Sequence, residues 1–185
     1  MLSEKIKEAT KQPHQELEKV VVQKLKAIQS EADYIDFLNG FYAYFSSLEK
    51  AFQPFITPEV LPDYSTRRTS AYLKKDIEEL GGNTDNLSAI VPTITNTQQA
   101  IGALYVMEGS IMGGSAIVKM LEKAGITKGV SFFSGYGAET GQKWGMFVGI
   151  MNKTAQTEEE QAQAIETAGQ TFSLFGNVFT PVNAG

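Results

Sequence analysis

The chain has 185 residues, 42% of them hydrophobic and 20% charged, with a net charge of −5. That length suits one domain over residues 1–185, the composition can fill a core, and the acidic balance excludes a general nucleic-acid binder. The absence of cysteine excludes disulfides, thiolate catalysis, cysteine-ligated zinc or iron–sulfur clusters, and attachment of a prosthetic group through C-x-x-C-H.

No apolar run approaches the roughly 20 residues that span a bilayer. The start, Met1-Leu2-Ser3-Glu4-Lys5, has no signal-peptide hydrophobic region, so a cytoplasmic location is the default expectation. Residues 1–28 hold six lysines against four glutamates, a net of +2 in an acidic chain. This basic segment is a candidate surface for an acidic ligand or partner.

The elements read as helices almost throughout. Ile6, Ala9, Leu17, Val20, Val21, Leu25 and Ile28 recur at three- and four-residue spacing over residues 3–28, with Ser3 as N-cap. Pro13 removes a backbone donor and crowds the preceding turn, which predicts a kink or a restart there. A second helix, rich in Phe and Tyr, is expected over 31–53, followed by a loop marked by Pro54, Pro58 and Pro62. A short helix over 65–80 ends at Gly81-Gly82. A long helix is expected from about 96 to 124, then a Gly- and aromatic-rich stretch over 126–141. Helices at about 138–153 and 157–179 follow, with a loose tail from Pro181 to Gly185. There is no hairpin signal and no internal repeat.

The segment from Gly102 to Gly114 conflicts with its own pattern. It is helical by periodicity, yet it holds glycines at 102, 109, 113 and 114. Each costs about 0.8–1 kcal/mol relative to Ala in a helix interior. Gly102, Gly109 and Gly113 share one helix face, with Ser110 and Gly114 beside them. Two readings account for the cost. A flat ligand lies directly on the backbone, with a bend at Gly109 or Gly113, or another helix packs closely through small residues. The spacing matches neither nucleotide-binding glycine fingerprint.

His14 is the only histidine. Lys7, Lys11, His14 and Glu18 would lie on one face of a continuous helix. An imidazole that binds iron through one nitrogen leaves the other needing an acceptor, and Glu18 one turn later can be that acceptor. The plainer reading is a solvated, salt-bridged helix face. A single histidine excludes a di-iron site with two Glu-x-x-His motifs and a two-histidine facial triad. No nucleophile elbow accompanies it.

Together the two segments resemble the haem oxygenase family, in its bacterial biliverdin-producing branch. Ile6 to His14 is similar to the proximal-helix motif whose final histidine ligates haem iron, and Glu18 matches the acidic residue behind it. Lys7 and Lys11 match positions that contact haem propionates. Leu104 to Gly114 resembles the distal helix, whose glycines lie over the haem face and admit dioxygen. Phe132 to Gly137, Gly141 and Trp144 are similar to a connecting segment of bacterial members, and Phe172 and Phe179 fall at pocket-wall aromatics.

The resemblance implies an all-α, multihelical fold with haem sandwiched between a proximal N-terminal helix and a Gly-rich distal helix. It implies His14, Gly109, Ser110 and Gly113 at the reacting centre, with Lys7, Lys11, Glu18, Tyr105, Gly114, Phe172 and Phe179 also around the haem. It implies oxidative cleavage of haem by dioxygen to biliverdin, carbon monoxide and ferrous iron. It implies electrons from a separate ferredoxin, flavodoxin or reductase, for which the basic N-terminal stretch is, by its charge, a candidate docking face. Ser110 replaces the aspartate of many animal-type members, and only Lys143 and Lys153 are basic on the penultimate helix. The alternatives are a haem carrier or sensor on the same fold, and a helical protein without haem. Thiaminase-like relatives of the second kind normally use a cysteine nucleophile, absent here.

Overall fold

In a computed structural model, which describes residues 1–180, eight α-helices follow one another with no strand among the described residues. They are α1 (Leu2–Ala9), α2 (Lys11–Lys26), α3 (Glu31–Phe52), α4 (Ser70–Glu79), α5 (Thr97–Met112), α6 (Gly114–Lys123), α7 (Thr140–Thr154) and α8 (Glu158–Asn177). The expected tail from Pro181 to Gly185 lies outside the described residues. No single described helix is long and apolar enough to cross a membrane.

The proline acts upstream of itself. In a continuous helix the Pro13 ring would meet the Ala9 carbonyl, four residues back. The chain therefore ends α1 at Ala9, turns at Thr10, and places Pro13 in the first turn of α2, where a missing N–H leaves no bond unmade. The first new bond runs from the His14 N–H to the Thr10 carbonyl at 3.0 Å. The continuous face expected to join Lys7 to Lys11, His14 and Glu18 is broken as a result. Ser3 is not the N-cap; Met1 is. The Ser3 N–H instead donates to Asn152 Oδ1 at 2.9 Å, and its Oγ accepts from Asn152 Nδ2 at 3.0 Å, joining α1 to α7.

Helix α3 is capped by Ser30, whose side chain accepts the Asp33 N–H. It carries Phe37, Phe41, Tyr44 and Phe45 into the core. Tyr44 stacks on Phe175 of α8 at 4.7 Å and 6° and donates its hydroxyl to the Thr171 carbonyl, so the buried phenol keeps a partner. The helix expected over 65–80 starts later, at Ser70. Glu49 of α3 accepts both the Ser70 N–H and the Ser70 hydroxyl at 2.6 Å, supplying the cap from another element.

The expected long helix is two helices meeting at Gly113, bent by 42°. Asn96 caps α5, and a Thr157–Glu160 capping box opens α8. Helix α5 runs through the middle of the fold against α8, α7 and α3. Helix α2 packs on α8 and touches α6. Between α2 and the bent α5–α6 pair a cleft remains.

Candidate functional site

The cleft has a volume of about 390 Å³, inside the range of about 300–1,000 Å³ usual for small-molecule sites. One wall is α2, with His14, Leu17, Glu18 and Val21. The facing wall is the α5–α6 bend, with Tyr105, Gly109, Ser110 and Gly113. Phe172 and Phe175 of α8, Trp144 of α7 and Phe41 of α3 close the rest. The lining is largely apolar, and His14, Glu18, Tyr105 and Ser110 are among its few polar groups.

His14 is exposed to this cleft, its ring stacked on Phe172 at 5.1 Å and 19°. Among the described residues no three His, Cys, Asp or Glu side chains converge to hold a bare metal ion. Across the cleft, Ser110 donates its hydroxyl to the Met107 carbonyl at 2.6 Å, leaving only its oxygen lone pairs free. Burial pushes the Tyr105 phenol above its ordinary range, with a hydrogen bond to Thr10 pulling partly back.

The four glycines divide between the two readings. A Cβ on Gly102 would sit 2.2 Å from the Ala164 carbonyl oxygen, and one on Gly114 2.0 Å from the Phe133 carbonyl oxygen. Those two glycines exist for packing. Gly109 and Gly113 are different: an added Cβ meets nothing nearer than Trp144 Cη2 at 3.9 Å and the Ser110 carbonyl at 3.7 Å respectively. Among the described residues no atom requires glycine at either position, and both face the cleft.

Gly114, expected at the ligand, is thus buried against the 133 loop instead. Phe179 also lies elsewhere. It packs on Phe37, Phe41 and Phe175 and would touch a Cβ at Gly40 at 2.8 Å, beside a separate cavity of about 170 Å³. Lys7 and Lys11 are exposed and outside the lining, Lys7 on α1 and Lys11 one turn before His14 on α2. Lys143 is engaged by Asp63 at 2.9 Å and Thr66 at 3.1 Å.

A buried ionic network behind α5 left no trace in the sequence pattern. Arg67, 1% exposed, donates to Glu108 at 2.9 Å, to Asp63 at 3.0 Å and to the Lys143 carbonyl at 3.1 Å. Burial works against the Arg67 charge, but Glu108 and Asp63 outweigh it and hold the guanidinium protonated. Burial likewise pushes the Glu108 carboxyl up, against the pull of Arg67. Tyr136 donates to Glu108 and accepts the Arg68 N–H at 2.9 Å.

Fold and cleft define an all-helical protein with a largely apolar cavity between an N-terminal helix and a bent, glycine-bearing helix pair. The model of the Heme oxygenase family matches residues 1–181, and the chain belongs to that family. It is 25% identical over 181 residues to the haem oxygenase PigA of Pseudomonas aeruginosa, covering 95% of this chain and 90% of that protein. It is 27% identical over 144 residues to a haem oxygenase of Xanthomonas campestris, covering 77% and 86% respectively. The fold matches the NO- and CO-bound haem oxygenase of Neisseria meningitidis with a TM-score of 0.85 at 22% identity, over 100% of this chain and 95% of that one.

Proposed function

We propose that the chain is a haem oxygenase that seats haem between α2 and the α5–α6 bend. It cleaves the haem with dioxygen and external electrons to biliverdin, carbon monoxide and ferrous iron. The observation that carries this reading is the pairing of His14 with Gly109 and Gly113 across the cleft. Gly109 costs about 0.8–1 kcal/mol inside α5, Gly113 sits at the junction of α5 and α6, and no contact among the described residues explains either glycine. A flat ligand against the backbone does.

The residues fit the group. A lone imidazole suits a metal whose other ligands come with a macrocycle, and the largely apolar lining suits the macrocycle itself. When bound, haem supplies the iron that takes dioxygen and the ring that is oxidised. The chain supplies orientation. His14 ligates from α2, with Phe172 fixing its ring plane, and Glu18, one turn on, accepts from the second nitrogen. Gly109 and Gly113 leave the opposite face open. Ser110 holds a water by accepting from it, since its own proton is committed to Met107. That water, rather than Ser110, delivers protons.

Lys11, one turn before His14 on α2, serves the propionates; Lys7 lies on α1, beyond the break at Thr10, and Lys143 is held by Asp63. A separate ferredoxin, flavodoxin or reductase supplies the electrons. The cytoplasmic location expected from the sequence belongs to the same proposal.

Hemin added to wild type and to His14→Ala, followed by a reductant in air, tests this. Wild type gains the Soret band of His-ligated haem and then forms a green bilin, while His14→Ala loses that spectrum. An unaltered spectrum in His14→Ala overturns the ligand assignment. Haem that persists in reduced wild type without bilin makes the protein a carrier or sensor instead.

A further inference from the structure

We propose that Arg67 and Glu108 are positioning residues that set the far wall of the cleft. The buried pair fixes α5 against α7, and with them the place of Gly109 and Trp144 opposite His14. The inference rests on the haem reading of that cleft, which it deepens.

Each arm of the Arg67 fork ends at a different part of the chain. Nη1 reaches Glu108, the residue directly before Gly109 on α5. Nη2 reaches the carbonyl of Lys143, the residue directly before Trp144 on α7. Nε reaches Asp63, which also holds the Lys143 ammonium at 2.9 Å. Both arms that leave the loop therefore stop one residue short of a cleft-lining residue. A planar guanidinium with fixed donor directions sets such distances in a way that a flexible cation or an apolar side chain does not.

The Glu108 carboxylate is gripped a second time by the Tyr136 hydroxyl, which is in turn fixed by the Arg68 N–H. The same loop touches the bend through the Phe133 carbonyl at Gly114. The network is not a path into the cleft. The gap beside Glu108, lined by Met112, Tyr136 and Trp144, has no room for a water. Neither Arg67 nor Glu108 lines the cleft. Burying a charged pair at this site brings little stability over an apolar pair of similar size; what it adds is geometry.

Trp144 is the single tryptophan and lines the cleft, so its fluorescence reports the wall directly without any ligand. The experiment compares wild type, Arg67→Met/Glu108→Met and Glu108→Gln by acrylamide quenching of Trp144, then by hemin titration. The double variant keeps its helical circular dichroism but shows quenching raised about twofold and hemin affinity lowered about tenfold. Glu108→Gln, which still accepts from Arg67, stays near wild type in both.

A double variant that folds and quenches like wild type overturns the proposal. If it does not fold, Arg67→Lys carries the same comparison, because it keeps the charge and loses the fork; unchanged quenching there is equally fatal. Failure of wild type to bind hemin overturns the haem reading alone, since quenching is measured without hemin and still decides the positioning role.

Discussion

Glycine at 109 and glycine at 114 are the same residue five positions apart, and they answer to different constraints. At 114 the missing Cβ is replaced by the Phe133 carbonyl, 2.0 Å from where the methyl would be. Neither backbone can give way cheaply. Gly114→Ala should therefore lower stability by about 1–3 kcal/mol, the usual range for overpacking, and Gly102→Ala, facing the Ala164 carbonyl, should do the same. At 109 a methyl meets only open space and Trp144. Gly109→Ala should be as stable as wild type or up to about 1 kcal/mol more so, because alanine favours the helix. It should nonetheless weaken hemin binding, since the methyl projects into the cleft where haem is proposed to lie. Urea denaturation and hemin titration of the three variants separate the cases. Loss of stability in Gly109→Ala without loss of affinity would return that glycine to the packing reading.

The helices show which parts of the fold were legible. Periodicity placed the helical stretches, and the glycines offered a bend at Gly109 or Gly113; the break falls at Gly113, between α5, buried on nearly every side, and α6. The restart near Pro13 was legible too, from the absent donor and the ring. Its location at Thr10 was not, because the clash falls four residues upstream on a partner the pattern does not mark. The late start of α4 was hidden for a similar reason: its cap is Glu49, 21 residues away in α3. In the site, His14 and the cleft-facing glycines were visible as local oddities. Arg67 and Glu108 were not, since a charged residue in one sequence carries no mark of burial. The distinction between Gly109 and Gly114 depends on Phe133, a contact no spacing encodes.

Glu49 also makes that long-range cap testable. Burial raises its pKa above the ordinary 4.5, with the Ser70 hydrogen bonds pulling partly back. The folded state thus holds the proton more tightly than the unfolded state. The associated stability is fully present below about pH 4.5 and is lost as pH rises through the folded value. Glu49→Gln keeps an acceptor for Ser70 and removes the titration. Its stability relative to wild type should improve steadily from acid toward neutral pH in urea denaturation. Movement in the opposite direction would mean that the two Ser70 bonds outweigh burial.

Across the whole molecule the charge is split rather than spread. Residues 1–28 are net +2 while the chain is −5, so α1 and α2 form a basic edge on an otherwise acidic body. Helix α2 is also a wall of the cleft, which brings that edge beside the haem proposed to lie there. An acidic electron donor steered to this edge would dock close to where its electrons are used. The lysines are available for it: Lys5 contacts Glu158 at 3.2 Å with both side chains exposed, a pairing of little strength, and Lys7 and Lys24 are exposed. Replacing Lys5, Lys7 and Lys24 with Ala leaves the proposed ligand contacts at His14 and Lys11 untouched. Steered association depends on charges acting over a distance, and the Debye length shrinks from about 30 Å at 0.01 M to about 8 Å at 0.15 M salt. The triple variant should therefore turn over about tenfold more slowly with an acidic protein donor at low ionic strength, and the gap should close as salt is added. With a small neutral reductant in place of the protein donor its rate should equal that of wild type, since no encounter surface is then involved. Equal rates with the protein donor at low salt would show that the donor uses another face.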